Sequence, residues 1–259
     1  MAADGAVAAP GRVWLVGAGP GAADLLTLRA MRALQNADVV LHDALVTEDV
    51  LALAPNARHI AVGKRAHRPS TAQRFINRQL IDCARRYARV VRLKGGDPML
   101  FGRAEEEMTA LAEAGIPFEV VPGVTAAFAA ASELQVSLTR RGLSRSVAFV
   151  TPRVGVDEAE ADWLPVALHA DTVVLYMAGR QVGRISAELI AAGKRAVMPI
   201  ALVESASLPE STVRFATLAT AGEAAAELGD GPAILLIGDV LADRSRDAVA
   251  MLLEQRVAA

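Results

Sequence analysis

Cysteine is almost absent from this 259-residue chain, in which Cys83 is the only example. No disulfide can therefore form within the chain, and Cys83 falls in an amphipathic helical pattern where a small core residue is expected. The four histidines are scattered and lack the spacing of metal ligands. We expect a cytoplasmic protein without a metal site.

Long apolar runs are also missing from the sequence. No run reaches the roughly 18 residues that a membrane helix needs, and residues 1–10 lack the charged start and long apolar centre of a signal peptide. The net charge of −2 gives no general attraction to nucleic acid. The sequence therefore predicts no membrane partner and no nucleic-acid partner.

What the chain does have is apolar content and a regular alternation of patterns. Hydrophobic residues make up 53% of the sequence, which is enough for a sizeable core. Strand and helix patterns alternate, which is typical of an α/β fold with mostly parallel sheets and helices on both faces. We predict two α/β domains, 12–137 and 147–259, with a loose tail at 1–11 and a polar, basic linker at 138–146.

The element patterns can be placed along the chain. Strands are predicted at 12–16, 37–43, 58–62, 90–94, 117–121, 147–151, 172–177, 197–203, 212–217 and 233–237. Helices are predicted at 24–36, 48–53, 71–87, 103–114, 126–134, 160–169, 181–192, 220–228 and 245–256. The strand at 212–217 follows 197–203 without a helix between them, so we expect it to be the antiparallel exception.

A buried strand pattern at 90–94 runs directly into a glycine pair, and a helix pattern follows. Gly95 and Gly96 permit unusual backbone angles and leave room for a ligand to lie on the chain. Pro98 restricts Asp97 to an extended conformation, which gives its carboxylate a defined direction. This layout is typical of a ligand site at the carboxyl edge of a parallel sheet, and a tight turn without a ligand is the alternative.

Two further glycine turns follow strands. The segment 17–22 matches the G-x-G-x-x-A dinucleotide fingerprint, with Asp43 at the distance of a ribose-binding acid. Pro20 lacks the N–H that a pyrophosphate loop needs, and the helix begins several residues late, so a plain turn is the alternative. In the turn at 122–127, capping of the following helix by Thr125 is the simpler interpretation.

Two basic loops, 63–68 and 138–145, are rich in arginine. Each is either a solvated charge run or a site for a small polycarboxylate or phosphate. Nucleic acid fits less well, because no aromatic side chains are interleaved for base stacking. Ala206 and Ala233 lie at strand edges, where filling of the core is the default interpretation.

Several of these elements occur in an order that resembles a known family. The matching segments are 16–21, 43–46, 62–66, 91–98 with 101–103, 121–126, and 138–139 with 141–146. This set resembles the tetrapyrrole methylases, most closely members that act on uroporphyrinogen III, and it extends from Val13 to Ile237. The specific part is the combination of Gly63-Lys64-Arg65 with the loop at 95–98.

The resemblance implies a two-domain α/β methyltransferase with its active site in a cleft between the domains. It implies S-adenosylmethionine as cofactor, with S-adenosylhomocysteine as product, and a homodimer. The implied reaction methylates two pyrrole carbons of uroporphyrinogen III and gives precorrin-2, which feeds siroheme, cobalamin and haem d1 synthesis. The substrate carries many carboxylates, so arginines in the basic loops are expected to bind it.

The resemblance also assigns roles to individual residues. It implies Asp43 as proton acceptor, Lys64 as proton donor, and Arg103 and Glu106 as substrate-side residues. It implies cofactor contacts at Pro20, Gly95, Gly96, Asp97, Leu100, Thr125, Ala126, Met177, Ala206 and Ala233. A sulfonium methyl is already activated, so alignment of the reactants and a base for the released proton are the main requirements.

The chain departs from the family pattern in four places, which bear on substrate choice. Ala104-Glu105 stands where Gly-Gly is usual, Ser205-Ala206 stands where Asn-Gly or Asn-Ala is common, and the segments 22–23 and 137–141 also differ. Three alternatives stay open: a methylase of another corrin intermediate, an NAD-dependent oxidoreductase that uses 17–22, and an RNA- or anion-binding module that uses the basic loops.

Overall fold

The computed structural model describes residues 10–63, 69–152 and 163–244. The chain forms two compact units that divide after Thr125. In the described ranges, no helix combines the length and the apolar character needed to cross a bilayer.

The first unit is built on a five-stranded sheet in the order β3-β2-β4-β1-β5, in which every pair of neighbours is parallel. Its strands are β1 (Arg12–Gly17), β2 (Val39–His42), β3 (Arg58–Ala61), β4 (Arg89–Lys94) and β5 (Phe118–Val121). Its helices are α1 (Leu28–Gln35), α2 (Glu48–Leu51), α3 (Pro69–Ala84) and α4 (Ala104–Glu113). This arrangement confirms the α/β interpretation of the strand and helix patterns.

Both faces of this sheet are covered by helices, and apolar side chains of β1, β2 and β4 pack into a core on each side. Successive residues of β2 enter different cores: Val39 and Leu41 pack with α3 and α4, whereas Val40 packs with α1 and α2. The alternation follows from the two-residue period of a strand. The central strand β4 is thereby held between two helical layers.

Helix α1 begins later than the predicted start at 24. The structure has a short 3-10 turn at Ala23–Leu25, and α1 begins at Leu28. The hydroxyl of Thr27 accepts a hydrogen bond from the Ala30 amide at 3.1 Å, so this threonine caps the helix. The cap satisfies an N–H that would otherwise lack a partner, and it determines where the helix starts.

The second unit contains a five-stranded sheet in the order β6-β7-β10-β8-β9. Its strands are β6 (Val147–Val150), β7 (Thr172–Leu175), β8 (Pro199–Glu204), β9 (Thr212–Thr217) and β10 (Ala233–Gly238). Its helices are α5 (Ala126–Glu133), α6 (Leu164–His169), α7 (Val182–Ala191) and α8 (Ala221–Ala225), with 3-10 turns at Gly179–Gln181 and Asp239–Leu241. The predicted helix at 245–256 lies outside the described residues.

Three of the five strands of this sheet, β6, β7 and β8, share one direction, and β9 and β10 run against them. The prediction that 212–217 is antiparallel is confirmed, but the prediction that it is the exception is wrong, because β10 is antiparallel too. The β8–β9 hairpin reverses the chain, and the α8 crossover then returns it in that reversed direction. Strand β10 therefore enters the sheet antiparallel to both of its neighbours.

Helix α5 packs within the second unit. Its residues Ala127, Ala130 and Ala131 join a core cluster with Val174 and Leu236 from the second sheet. The division between the units therefore lies earlier in the chain than the predicted end of the first domain at 137. The segment 138–146 is also packed in this unit, since the Ser144 hydroxyl lies 2.9 Å from the Thr172 hydroxyl.

Candidate functional site

The carboxyl ends of all strands in the first sheet lie at one edge, because the sheet is parallel. At this edge the loops after β1 and β4 are joined by backbone hydrogen bonds. The Ala18 amide donates to Lys94 O at 2.7 Å, and Gly96 N donates to Gly19 O at 2.7 Å. Gly19 N returns a bond to Gly96 O at 3.2 Å, so the two loops form a small antiparallel bridge.

Three glycines allow the loops after β1, β4 and β5 to touch. A Cβ added to Gly17 would lie 2.6 Å from Gly123 Cα and 2.7 Å from Gly96 O. A Cβ added to Gly123 would lie 2.3 Å from Gly96 O. No side chain fits at such distances, so glycine is required at positions 17 and 123 for this approach of backbone to backbone, whereas Gly96 is favoured by its left-handed φ of 68°. We call Gly17, Gly96 and Gly123 the glycine contact.

The Asp97 carboxylate ties two of these loops together. Its Oδ1 accepts from the Met99 amide at 2.8 Å, and its Oδ2 accepts from the Gly123 amide at 2.9 Å. Pro98 is buried next to it. The carboxylate therefore has the fixed direction that the sequence predicts, and it holds the loop after β5 against the loop after β4.

Six of the predicted cofactor residues come together at this edge: Pro20, Gly95, Gly96, Asp97, Leu100 and Thr125. Pro20 follows the residue that bridges to Gly96, and Thr125 Cα lies 3.9 Å from the position that a Gly96 Cβ would take. Gly95 is exposed, and a Cβ there would meet only the Leu45 side chain, at 3.8 Å. The backbone at Gly95 is thus exposed and is not covered by neighbouring atoms of the described residues.

Ala126, Met177, Ala206 and Ala233, the other predicted cofactor residues, belong to the second unit. Ala126 begins α5, directly after Thr125 in the chain. Met177 follows β7, Ala206 follows β8, and Ala233 starts the reversed strand β10, so these three lie at one edge of the second sheet.

The backbone is unusual at this second edge. Met177, Ser205 and Ser207 have left-handed φ angles of 56°, 53° and 77°, which non-glycine residues seldom adopt. The Ser205 amide donates to Pro232 O at 2.9 Å and so joins the turn after β8 to the start of β10. Such conformations are often found at ligand sites, and the roles of Met177 and Ala206 stay predictions.

Arg103 and Glu106 form a bidentate ion pair at the start of α4. Arg103 Nε donates to Glu106 Oε1 at 2.6 Å, and its second terminal nitrogen donates to Oε2 at 2.9 Å. Both side chains are more than 40% exposed. The spacing of three residues therefore brings them together, as the sequence predicts, on a solvent-accessible face.

Asp43 lies directly after β2 and contacts a buried charged cluster. Its Oδ1 accepts from an Arg92 terminal nitrogen at 2.6 Å, and Arg92 Nε donates to Glu107 Oε1 at 2.9 Å. Glu107 Oε2 accepts from Lys94 Nζ at 2.9 Å. Arg92, Lys94 and Glu107 are at most 3% exposed, whereas the Asp43 side chain is 31% exposed. We call Asp43, Arg92, Lys94 and Glu107 the ion cluster.

The charges of the ion cluster shift the pKa of its cations in opposite directions. Burial lowers the pKa of the Arg92 guanidinium, but the charges and hydrogen bonds of Asp43 and Glu107 outweigh burial and raise that pKa above its usual value. Burial, assisted by repulsion from Arg92, lowers the pKa of the Lys94 ammonium against the attraction of Glu107. Arg92 is therefore a permanent positive charge beside Asp43.

Sequence reasoning missed Arg92, Lys94 and Glu107. A signal was present, because Arg92 and Lys94 interrupt an apolar strand that is predicted to be buried. They are two residues apart and so lie on the same face of β4. Buried cations require an acidic partner, and Glu107 on the following helix provides it.

Lys64, the predicted proton donor, lies outside the described residues, as do Arg65 and Arg68 of the first basic loop. In the second basic loop, Arg140 pairs with Asp243 at 2.9 Å, and both side chains are mostly exposed. Arg145 is exposed too. Within 10–63, 69–152 and 163–244, no group of three or more histidine, cysteine, aspartate or glutamate side chains is placed to hold a metal ion.

The structure argues against the dinucleotide interpretation of 17–22. Gly19 uses both its amide and its carbonyl on Gly96. Helix α1 begins at Leu28, well beyond the glycine turn, and its first turn is capped by Thr27. A pyrophosphate in this turn would therefore meet no helix N-terminus.

Comparison with known proteins points to one family. The model for tetrapyrrole (corrin/porphyrin) methylases matches residues 12–222. A uroporphyrinogen-III C-methyltransferase from a Sinorhizobium species is 43% identical over 235 residues, which cover 89% of this chain and 84% of that protein. A siroheme synthase from Zymomonas mobilis is 46% identical over 231 residues, which cover 89% of this chain and 49% of that protein.

Solved structures agree with this family. The uroporphyrin-III C-methyltransferase of Thermus thermophilus, in complex with S-adenosylhomocysteine, superposes with a TM-score of 0.77 at 41% identity. The match covers 89% of this chain and 99% of that one. The chain spans about half the length of the siroheme synthases that it matches. By its sequence, its fold and the order of its motifs, the chain belongs to the tetrapyrrole methylase family.

Proposed function

We propose that this chain transfers methyl groups from S-adenosylmethionine to two pyrrole carbons of uroporphyrinogen III and so forms precorrin-2. The observation that carries the proposal is the loop at 95–97, which the glycine contact and Asp97 fix beside open space at Gly95. Relatives that are 41–43% identical to this chain are named for this substrate, and one is complexed with S-adenosylhomocysteine.

The cofactor supplies a methyl group on a sulfonium, which needs no further activation. In this proposal Gly95, Gly96 and Asp97 bind it at the first sheet, together with Pro20, Leu100 and Thr125. We assign cofactor contacts also to Ala126, Met177, Ala206 and Ala233, as the family resemblance implies. Their task is to hold the methyl in line with the attacking carbon, since alignment lowers the barrier of a two-reactant step by several kcal/mol.

Side chains of the protein transfer the protons and bind the substrate carboxylates in this proposal. The ring system that gains a methyl must release one proton, and we assign its acceptance to Asp43, whose carboxylate is partly exposed at the sheet edge. Lys64 is the proposed donor. Arg103, oriented by Glu106, is the proposed partner of a substrate carboxylate.

The direct test incubates the protein with labelled S-adenosylmethionine and enzymatically made uroporphyrinogen III. Mass analysis should show two added methyl groups. Asp43→Asn should slow the single-turnover rate far more than it weakens S-adenosylhomocysteine binding, and Lys64→Ala should do the same. Methylation of another corrin intermediate, with none of uroporphyrinogen III, would overturn the substrate assignment.

We also propose that the protein is a cytoplasmic homodimer, as the family resemblance implies. Sedimentation equilibrium at micromolar concentration should give twice the mass of the 27.1 kDa chain. A single species at the monomer mass would contradict the assignment.

A further inference from the structure

The ion cluster holds two cations, Arg92 and Lys94, and two anions, Glu107 and Asp43, and of these four side chains Asp43 is the exposed one. Glu107 binds both cations, and these three side chains are almost fully buried, whereas the Asp43 side chain that completes the charge balance is 31% exposed. Asp43 lies at the carboxyl edge of the sheet, where the predicted ligand loops meet. The cluster therefore links the interior to the edge through a single guanidinium.

Arg92 is itself rigidly oriented. Its three nitrogens donate to three different acceptors: Nε to Glu107 Oε1 at 2.9 Å, one terminal nitrogen to Leu93 O at 3.1 Å, and the other to Asp43 Oδ1 at 2.6 Å. A planar guanidinium that is hydrogen-bonded through each of its three nitrogens has little freedom to turn. Glu107 is in turn held by Lys94 at 2.9 Å.

Asp43 is fixed to the same strand by its main chain. Its amide donates to Leu93 O at 3.2 Å, and this carbonyl also accepts from Arg92. Backbone and side chain of Asp43 are thus both tied to β4. One carboxylate oxygen faces the guanidinium, and the exposed part of the side chain is left for a ligand.

We propose that Arg92 is a positioning residue for methyl transfer: oriented by Glu107 and Lys94, it holds the Asp43 carboxylate in a fixed direction at the edge of the first sheet. The inference rests on the proposed function, in which Asp43 accepts the proton that the methylated ring system releases. No atom of Arg92 needs to touch the substrate. Its effect passes through the 2.6 Å hydrogen bond to Asp43.

The test uses Arg92→Lys, which keeps the positive charge but lacks the planar fork that reaches both carboxylates. The matched control is Arg89→Lys. Arg89 also pairs with an aspartate, Asp38, at 2.8 Å, but this pair lies at the amino ends of β4 and β2, away from Asp43. Single-turnover methyl transfer is measured per S-adenosylhomocysteine-binding site, so loss of folded protein does not count as loss of rate.

Arg92→Lys should slow transfer by roughly tenfold or more at saturating substrate, with S-adenosylhomocysteine affinity unchanged, whereas Arg89→Lys should keep the wild-type rate. In an Asp43→Asn background, Arg92→Lys should cost no further rate, because residues that act together are not additive. If the rate losses of Arg92→Lys and Asp43→Asn multiply in the double variant, the positioning role is overturned. A wild-type rate in Arg92→Lys would overturn it too.

The outcomes separate this inference from the proposed function. If Asp43→Asn itself keeps the wild-type rate, then Asp43 is not the proton acceptor and both assignments fail. If Asp43→Asn is slow but Arg92→Lys is not, the acceptor assignment stands and only the inference about Arg92 fails. Should Arg92→Lys not fold, Glu107→Gln gives a second measurement, since it weakens the orientation of Arg92 and should also slow transfer.

Discussion

Adjacent residues on α4 have opposite environments, and this contrast is visible at the scale of single side chains. Glu106 is 47% exposed, whereas Glu107 is fully buried between Arg92 and Lys94. A buried charge that loses its partner is costly, because the remaining ions are desolvated without compensation. A surface ion pair gains little, because water and salt screen it.

This contrast predicts different effects on stability for two similar substitutions. Glu107→Gln should lower the free energy of unfolding by about 3–5 kcal/mol, the range for breaking a buried ion pair. Glu106→Gln should change it by about 1 kcal/mol or less. Denaturant unfolding of both variants measures the difference, and equal losses would mean that the buried cluster contributes no more than a surface pair.

The Arg103–Glu106 pair is the second test at this scale. Arg103→Leu should lower methyl transfer by roughly tenfold or more, since a charged hydrogen bond to a substrate carboxylate contributes on the order of 1.5–3 kcal/mol. Its melting temperature should stay near that of wild type, because the pair is exposed. Losses in Arg103→Leu and Glu106→Gln should not add.

Kinetics of the two single variants and the double variant check this prediction. Calorimetry with S-adenosylhomocysteine provides the control, because neither variant should alter cofactor affinity. Full activity in Arg103→Leu would mean that the pair is an ordinary surface ion pair with no part in substrate binding.

At the scale of elements, the loops after β1, β4 and β5 show two different uses of glycine. Gly123 is required by packing, because a Cβ there would lie 2.3 Å from a backbone oxygen. Gly95 is not required by packing, because a Cβ there would meet its nearest neighbour at an ordinary 3.8 Å. If the fold tolerates a side chain at Gly95, then packing does not explain the glycine, and ligand binding beside it is the explanation that we test.

We therefore predict that Gly123→Ala unfolds at a clearly lower temperature than wild type, because the glycine contact must separate. Gly95→Ala should unfold within a few degrees of wild type, yet its affinity for S-adenosylhomocysteine should fall by roughly tenfold or more, since the methyl occupies ligand space. Thermal melts and calorimetry on both variants decide this. Unchanged affinity in a folded Gly95→Ala would place the cofactor elsewhere.

The same elements indicate how far the sequence predicts this molecule. Local patterns suffice to predict the strand, the glycine loop and the helix around Gly95, because the effects of glycine, proline and apolar periodicity extend over only a few residues. The antiparallel direction of β10 depends on the hairpin that precedes it. The ion cluster depends on Asp43, Arg92 and Glu107, which meet only after the strands and α4 have packed, so no short window of sequence contains it.

At the scale of the whole molecule, two units of different topology each carry one group of predicted site residues. The first is a fully parallel sheet with a glycine-rich edge, and the second is a mixed sheet with strained turns at one edge. A ligand that binds folded protein and not unfolded chain must stabilise whatever unit it contacts, by mass action. The gain in stability of the first unit when a ligand is added is therefore a measure of binding to that unit.

Cys83 allows this measurement, because it is the only cysteine of the chain and lies on α3 of the first unit. It is 8% exposed, and burial raises the pKa of its thiol, so the folded protein should react slowly with thiol reagents. Where the chain recloses faster than the reagent reacts, the labelling rate follows the population of opened molecules. Labelling of Cys83 then reports opening of the first unit.

S-adenosylhomocysteine at about one hundred times its Kd should slow the labelling of Cys83 about a hundredfold, if opening destroys the binding site. Chain unfolded in denaturant should label at one rate with and without the ligand, which controls for any effect on the reagent. If labelling is unchanged while calorimetry shows binding, then α3 opens locally and leaves the ligand in place. A large effect would instead mean that α3, the parallel sheet and the glycine loops unfold as one cooperative unit, so that occupancy at the sheet edge protects a thiol on the helical layer.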